Sequence, residues 1–150
     1  MNTCTVIPYV LAYFTRVYEN QEQVLLLYRS NTGFGNNQYG LPGGKINKNE
    51  TPRQAVIREI KEELGIDVDE KNSILSTFLY FKGASRICMA FVFTITNWDG
   101  EPINIEASKH DHLAWYDSHN LPENILPRHA LMIKQIQQGI VYAEEGFHSF

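Results

Sequence analysis

The sequence predicts a mixed α/β domain with more strand than helix, and three observations carry that prediction. Apolar, β-branched and aromatic runs recur five times along the chain. Two other segments repeat their apolar residues at helical spacing and carry start or stop signals. No linker, internal repeat or low-complexity tract divides the 150 residues, 43% of them hydrophobic, so one domain over 1–150 with a sizeable core is expected.

The first run lies in MNTCTVIPYVLAYF. No Lys or Arg precedes it and no small-residue cleavage site follows, so it predicts a strand over 6–15 and not a secretory signal. A second strand is expected over 23–29. The stretch SNTGFGNNQYG that follows is rich in Gly and Asn, which tolerate positive φ, and predicts an exposed loop. A helix is expected over 52–64, then strands over 74–82, 87–96 and 112–116, with the turn at Asp99-Gly100 closing a strand. A last helix over 128–138 stops at Gly139, and Ala130, Ile133 and Ile136 give it a core face. Cys4 and Cys88 are too few for a zinc site and fit a reducing compartment, where they read as small buried hydrophobes. No run of eighteen apolar residues offers a membrane span, and a cytoplasmic location is expected.

The helix over 52–64 carries the chemistry. Thr51 is a good N-cap, Pro52 falls where its missing N–H costs nothing, and Gln54 completes a capping box. Gly65 supplies the left-handed residue that ends it. At 100° per residue, Val56, Ile57, Ile60 and Leu64 share one arc, the expected buried face. Glu59, Glu62 and Glu63 fall on the adjoining arc, while Gln54 and Lys61 take the solvent side. Carboxylates on a helix are ordinarily a solvated face, and like charges at i, i+4 cost a few tenths of a kcal/mol each. In a chain of net charge −4, a bound cation is the alternative that resolves the repulsion. Hard divalent ions prefer oxygen ligands, and Mg²⁺ is held by a few carboxylates with water and substrate phosphates. Ala55, one turn before Glu59, is expected to leave space above the carboxylates.

These residues also complete a longer pattern. Gly44, Glu50, Arg58, Glu59, Ile60, Glu62, Glu63, Gly65 and Ile66 spell Gly-x5-Glu-x7-Arg-Glu-U-x-Glu-Glu-x-Gly-U, with U a bulky aliphatic, and no position departs from it. Chance produces such a match at a given start with a probability on the order of 10⁻⁹. The segment resembles the Nudix hydrolases, and PGGKINKNETPRQAVIREIKEELGI is similar to their MutT-type members. GEPINIEASKHDHLAWYD and LPENILP further on are in the same manner.

The resemblance implies an α/β/α sandwich with a central mixed sheet, and hydrolysis of nucleoside diphosphates linked to another group with Mg²⁺ or Mn²⁺. It implies that Glu59, Glu62 and Glu63 hold metal, with the Gly43 carbonyl as a further oxygen. Arg58 would orient Glu59, and Gly44 and Glu50 would support the site. A pyrophosphate repels its nucleophile, so the chemistry requires charge screening and a carboxylate that takes a proton from water. Glu59 is the favoured base, with Glu106 and Asp111 as alternatives in the loop before the 112–116 strand.

Outside the motif, Arg29 stands where MutT-type members carry a substrate-contacting arginine, though a solvated arginine reads equally well. Lys45 is placed to reach a phosphate as a point charge. Asn124 is a candidate for a base edge, with turn chemistry as the competing explanation. Tyr80, Phe81 and Phe91 are candidates for stacking on a base or for the core. His110 and His112 have no third ligand nearby in sequence and read as a strand-end pair, not a zinc site.

The expected partner is a nucleotide, most simply a nucleoside triphosphate cleaved to monophosphate and pyrophosphate. A dinucleotide or nucleotide-sugar pyrophosphatase and a non-catalytic nucleotide-binding module are the alternatives. The acidic balance argues against a nucleic-acid duplex as partner. A monomer and a homodimer both fit the sequence.

Overall fold

The computed structural model describes residues 1–147. Eight strands form one sheet: β1 (Val6–Tyr18), β2 (Gln21–Arg29), β3 (Tyr39–Gly40), β4 (Gly43–Lys45), β5 (Ser73–Lys82), β6 (Ile87–Ile95), β7 (His110–Asp117) and β8 (Tyr142–Glu145). Two α-helices, α1 (Pro52–Leu64) and α2 (Pro127–Gln137), accompany them, with a short 3₁₀ turn at Glu70–Asn72. Strand order is β3-β2-β1-β6-β5-β8, with β4 added to β1 and β7 to β2. The β1–β6 and β5–β8 pairs are parallel and the others antiparallel, so the sheet is mixed.

The sandwich follows from the period of two along β1. Val10, Ala12 and Phe14 point to one side, where they pack with Ala55, Val56, Ile60 and Leu64 of α1. Leu11 and Tyr13 point to the other, against Met132 and Ile133 of α2. Val24 and Leu26 divide from Leu25 and Leu27 of β2 in the same way. Such a strand, apolar on both faces, is what a sheet covered by a helix on each side requires.

Helix α1 forms as its local signals dictate. Thr51 Oγ1 accepts from the Gln54 amide at 3.2 Å, and Gln54 Oε1 accepts from the Thr51 amide at 2.9 Å. Gly65 adopts φ 71° and returns its amide to the Lys61 carbonyl at 3.0 Å. Helix α2 begins at Pro127 and lies within one residue of expectation.

Several elements depart from the sequence reading. β1 runs on to Tyr18, because Glu19 and Asn20 both take positive φ and close a two-residue hairpin into β2. β3, β4 and β8 are too short to show a period in sequence and are defined by distant partners. β6 ends at Ile95, so Asp99-Gly100 is a bend beyond the strand and does not close it. Cys4 is exposed and Cys88 half-buried; both are free, and Cys4 is no core residue. Ala55 is fully buried in the core. Phe81 is buried against Tyr9, Phe91 stacks on Phe78 and Tyr80 on Phe147, so each of the three aromatic candidates already has an aromatic partner.

The capping box makes a direct prediction. Thr51→Ala is expected to cost about 1 kcal/mol of stability, read as a lower denaturant midpoint with unchanged slope, while Thr51→Ser should recover most of it. Equal stability in the alanine variant would mean that tertiary packing alone starts the helix.

Candidate functional site

The site grows from the seam between α1 and β4. Glu59 and Glu63 are buried, at 9% and 6% exposure, whereas the Glu62 side chain is half exposed. The three carboxylates therefore do not share one environment. Glu59 and Glu63 sit between Ala55 on one side and Val56 and Ile60 on the other, within the face that packs on the sheet. The glycines of β4 make that possible. A Cβ on Gly44 would run into the Glu59 carboxylate, and one on Gly43 into the Val10 carbonyl and Leu11. The freed space lets the Gly43 amide donate to Glu63 Oε2 at 3.0 Å.

Arg58 organises the other side. Its Nε and Nη2 clamp the two oxygens of Glu50 at 2.6 and 3.0 Å. Nη1 donates to Glu59 at 2.9 Å and to Glu62 at 3.2 Å, and Nη2 also reaches the Lys45 carbonyl at 3.1 Å. Glu50 Oε2 further accepts from the Asn47 amide at 2.8 Å, which folds its loop back over the guanidinium. One planar side chain thus ties the loop, β4 and two helix carboxylates together.

The electrostatics are uneven. Arg58 holds the Glu50 carboxyl below the usual carboxylate range, and that ion pair in turn raises Arg58. Burial pushes Glu59 up, with Arg58 opposing. Burial pushes Glu63 well up, and the neighbouring Glu59 adds to it, against a single amide donor and the field of Arg29. Among the described residues, no three acidic, His or Cys side chains converge to encircle an ion as they stand. The donor set nevertheless fits a hard divalent cation, because Glu59 and Glu63 are adjacent oxygen donors with too little positive charge to offset their burial.

The structure distributes the remaining candidates unequally. Arg29, at the end of β2, is half-buried, donates from Nε to the Phe34 carbonyl at 3.2 Å, and feels the charge of Glu63. Lys45 is exposed at the end of β4. Asn124 donates to the Asn37 carbonyl at 3.3 Å and accepts from the Tyr39 amide at 3.0 Å, so it fastens the 30–38 loop. Glu106 pairs with Lys109 at 2.8 Å and lies near enough for its charge to raise both Glu59 and Glu63. Asp111 does not join the site: it is exposed, faces His112 at 3.0 Å, and is displaced by an irregularity in β7. His110 is buried and His112 exposed, so they form no metal pair.

Sequence reasoning missed His129, whose Nδ1 accepts from the Leu41 amide at 2.9 Å and whose burial pushes it down to about 3. No local signal marks that residue, since its partner lies 88 positions away.

A Nudix domain model matches residues 8–136, which takes in every element of the site. The chain belongs to the Nudix family. Among its Nudix relatives, the 8-oxo-dGTP diphosphatase of Escherichia coli (strain K12) is 34% identical over 84 residues, 56% of this chain and 63% of the relative. An uncharacterized Nudix hydrolase of Bacillus subtilis (strain 168) is 30% identical over 132 residues, covering 84% and 80%. The chain spans 52% to 63% of the length of the first curated relatives it matches. Of solved Nudix structures, a MutT hydrolase from Burkholderia pseudomallei superposes with a TM-score of 0.72 at 28% identity, over 85% of this chain and 97% of that one. The Nudix domain of Shewanella oneidensis NrtR, solved with ADP ribose, shares the fold at a TM-score of 0.73 and 22% identity, over 89% and 88%.

Two predictions follow from this Nudix site. Glu63 is raised above its ordinary 4.5, so the folded state of the metal-free protein carries a penalty that is absent below 4.5 and grows as pH rises through the raised value. His110 and His129, held near 4 and 3, act oppositely: their contribution is lost as pH falls below 6.5. The effect of Glu63 is therefore read as a difference. Glu63→Gln is expected to melt above the parent at neutral pH without metal, with the gap closing toward pH 4.5; a gap independent of pH would contradict a buried, under-compensated carboxylate. Arg58→Lys keeps the charge but loses the fork, and is expected to cost about 2 kcal/mol by chemical denaturation. An unchanged midpoint would remove Arg58 as the tie between loop and helix.

Proposed function

We propose that this domain hydrolyses the pyrophosphate linkage of a nucleoside triphosphate, releasing monophosphate and pyrophosphate, with Mg²⁺ or Mn²⁺. The observation that carries the reading is the buried Glu59–Glu63 pair beneath the two glycines of β4, short of positive charge and bracketed by Arg58 and Arg29. Relatives named 8-oxo-dGTP diphosphatase, and an oxidized purine nucleoside triphosphate hydrolase of Danio rerio at 31% identity, support the triphosphate as substrate class.

In this reading Glu59, Glu62 and Glu63, with the Gly43 carbonyl, hold the cation. When bound, it supplies charge screening for the phosphates and lowers the pKa of water. The chain's own residues do the rest. Arg29 and Lys45 bind the anionic substrate, and Asn124 holds the adjoining loop within reach of a base. Glu59 accepts the proton that water loses as its oxygen forms the new bond to phosphorus and the bridging P–O bond breaks. Glu106, on the rim, is the second candidate for that proton. Arg58 keeps the Glu59 carboxylate turned to its task. An ADP-ribose pyrophosphatase of Methanocaldococcus jannaschii, 37% identical over 62 residues, supports a linked diphosphate as the competing substrate.

A panel of dGTP, 8-oxo-dGTP, diadenosine tetraphosphate, ADP-ribose and UDP-glucose, each with Mg²⁺ or Mn²⁺, tests the reading by release of phosphate and pyrophosphate. Pyrophosphate from a triphosphate is the expected product. Glu62→Gln or Glu63→Gln should lower turnover by about two orders of magnitude or more, each lost ligand being worth several kcal/mol. Lys61→Gln, which loses only an exposed pair with Asp67 at 3.0 Å, should be nearly silent. Millimolar metal should raise the parent's melting temperature by mass action. Glutamine variants that turn over like the parent would sink the metal face; nucleotide binding without turnover by the parent would favour the binding module.

A further inference from the structure

Arg29 is a cation beside the site that no carboxylate of the described residues holds. Among the described residues no carboxylate oxygen lies within ion-pairing distance of its guanidinium. Among the described residues only Nε is engaged, on the Phe34 carbonyl. The strand beside it keeps a carboxylate away.

β2 and β7 pair antiparallel, with Leu27 opposite Leu113 and Tyr28 opposite His112. A regular ladder would next set Asp111 opposite Arg29. Opposed residues share a face with Cβ atoms about 5 Å apart, so an aspartate there would form a cross-strand ion pair. The register instead slips at this step, and Arg29 faces His110. Asp111 is the extra residue of the bulge, 68% exposed at its side chain and turned to His112.

His110 takes the vacated position with its backbone fastened at both ends. Its amide donates to the Glu106 carbonyl at 3.0 Å, and its carbonyl accepts from Asn104 Nδ2 at 2.7 Å. The residue is 4% exposed and its Nδ1 has no hydrogen-bond partner among the described residues. Burial and the Arg29 charge push it down to about 4, which leaves a neutral ring at neutral pH. His129, also neutral, is the second imidazole on which Arg29 acts. The charged groups around His110 are Arg29, Lys109 and Glu106, and Glu106 is itself paired with Lys109.

We propose that His110 is a positioning residue: through the bulge at Asp111 it puts a neutral side chain where a carboxylate would otherwise neutralise Arg29, leaving that guanidinium free for an anionic group of the substrate. The inference rests on the hydrolase reading above, with Arg29 in its substrate-binding role. A ring that merely filled space would be indifferent to the charge across the ladder. A ring that guards Arg29 cannot be replaced by a carboxylate.

The test is a double-mutant cycle on the nucleotide that the parent turns over fastest in the panel above, with melting curves as the fold control. H110D is expected to raise KM about fivefold to tenfold, with the smaller change in kcat, as the new carboxylate captures Arg29. H110N, which stays neutral, should recover most of that loss. In an Arg29→Leu background, H110D should move KM less than about twofold, because nothing remains to capture. Equal effects of H110D with and without the arginine would overturn the proposal, as would an H110N variant as impaired as H110D. Should H110D fail to fold, Asp111→Asn carries the test: KM is expected within about twofold of the parent, whereas a several-fold fall would mean that Asp111 already neutralises Arg29, and the proposal would be wrong. A parent that hydrolyses nothing in the panel defeats the hydrolase reading instead, which separates that failure from this one.

Discussion

Two carboxylates buried on the packing face of a helix are the constraint to which the rest of the molecule answers. Taking an ion out of water costs several kcal/mol even after relaxation. Here Glu59 and Glu63 are both withdrawn from solvent, one turn apart. The neighbouring residues are intelligible as responses to that cost. Gly44 gives up its side chain so that Glu59 has room, and Gly43 turns its amide to Glu63. Arg58 spends its fork on Glu50 and Glu59 together, so the charge that offsets one buried acid also anchors the loop that leads into the helix.

The same region shows how backbone demands and site demands are met by one set of bonds. A helix leaves its last carbonyls without intrahelical partners. At the end of α1 the Ile103 amide donates to the Leu64 carbonyl at 3.0 Å and the Ile105 amide to the Glu63 carbonyl at 3.1 Å. These bonds finish the helix and bring the 101–106 segment alongside it, which is what carries Glu106 to the rim. Ile105 packs over Gly65, the left-handed residue that ended the helix, so the cap and the approach of Glu106 depend on the same glycine.

How much of this was legible in the sequence depends on how local each determinant is. Helix α1, from capping box to terminal glycine, is written within fifteen successive positions, Thr51 to Gly65, and was readable in full. The layering was implied by the resemblance alone; the apolar residues on both faces of β1 and β2 that produce it became legible once the strands were placed. β3 and β4 were not readable, since strands of two and three residues have no period and owe their existence to pairing with β2 and β1. The burial difference between Glu62 and its two neighbours escaped the motif, because the arc of α1 that meets the sheet is wider than the apolar residues alone suggest and takes in Ala55, Glu59 and Glu63. Asp111 and His110 exchanged places for a similar reason: a one-residue bulge reverses which side chain faces the site, and nothing in the strand's own composition announces it.

The charges across the site fall in a definite order. Arg58 lies on one side of the acidic pair, already committed to Glu50, Glu59 and Glu62. Arg29 acts from the other side on Glu63, without an ion pair of its own. Between them the Glu59 and Glu63 carboxylates repel. In the proposed reading, a divalent ion held by these acids would, together with the Arg29 guanidinium, call for an anion. On that reading the acidic net charge of the chain and an anionic substrate are not in conflict: the acids would hold the cation, and the cation with Arg29 would hold the phosphates.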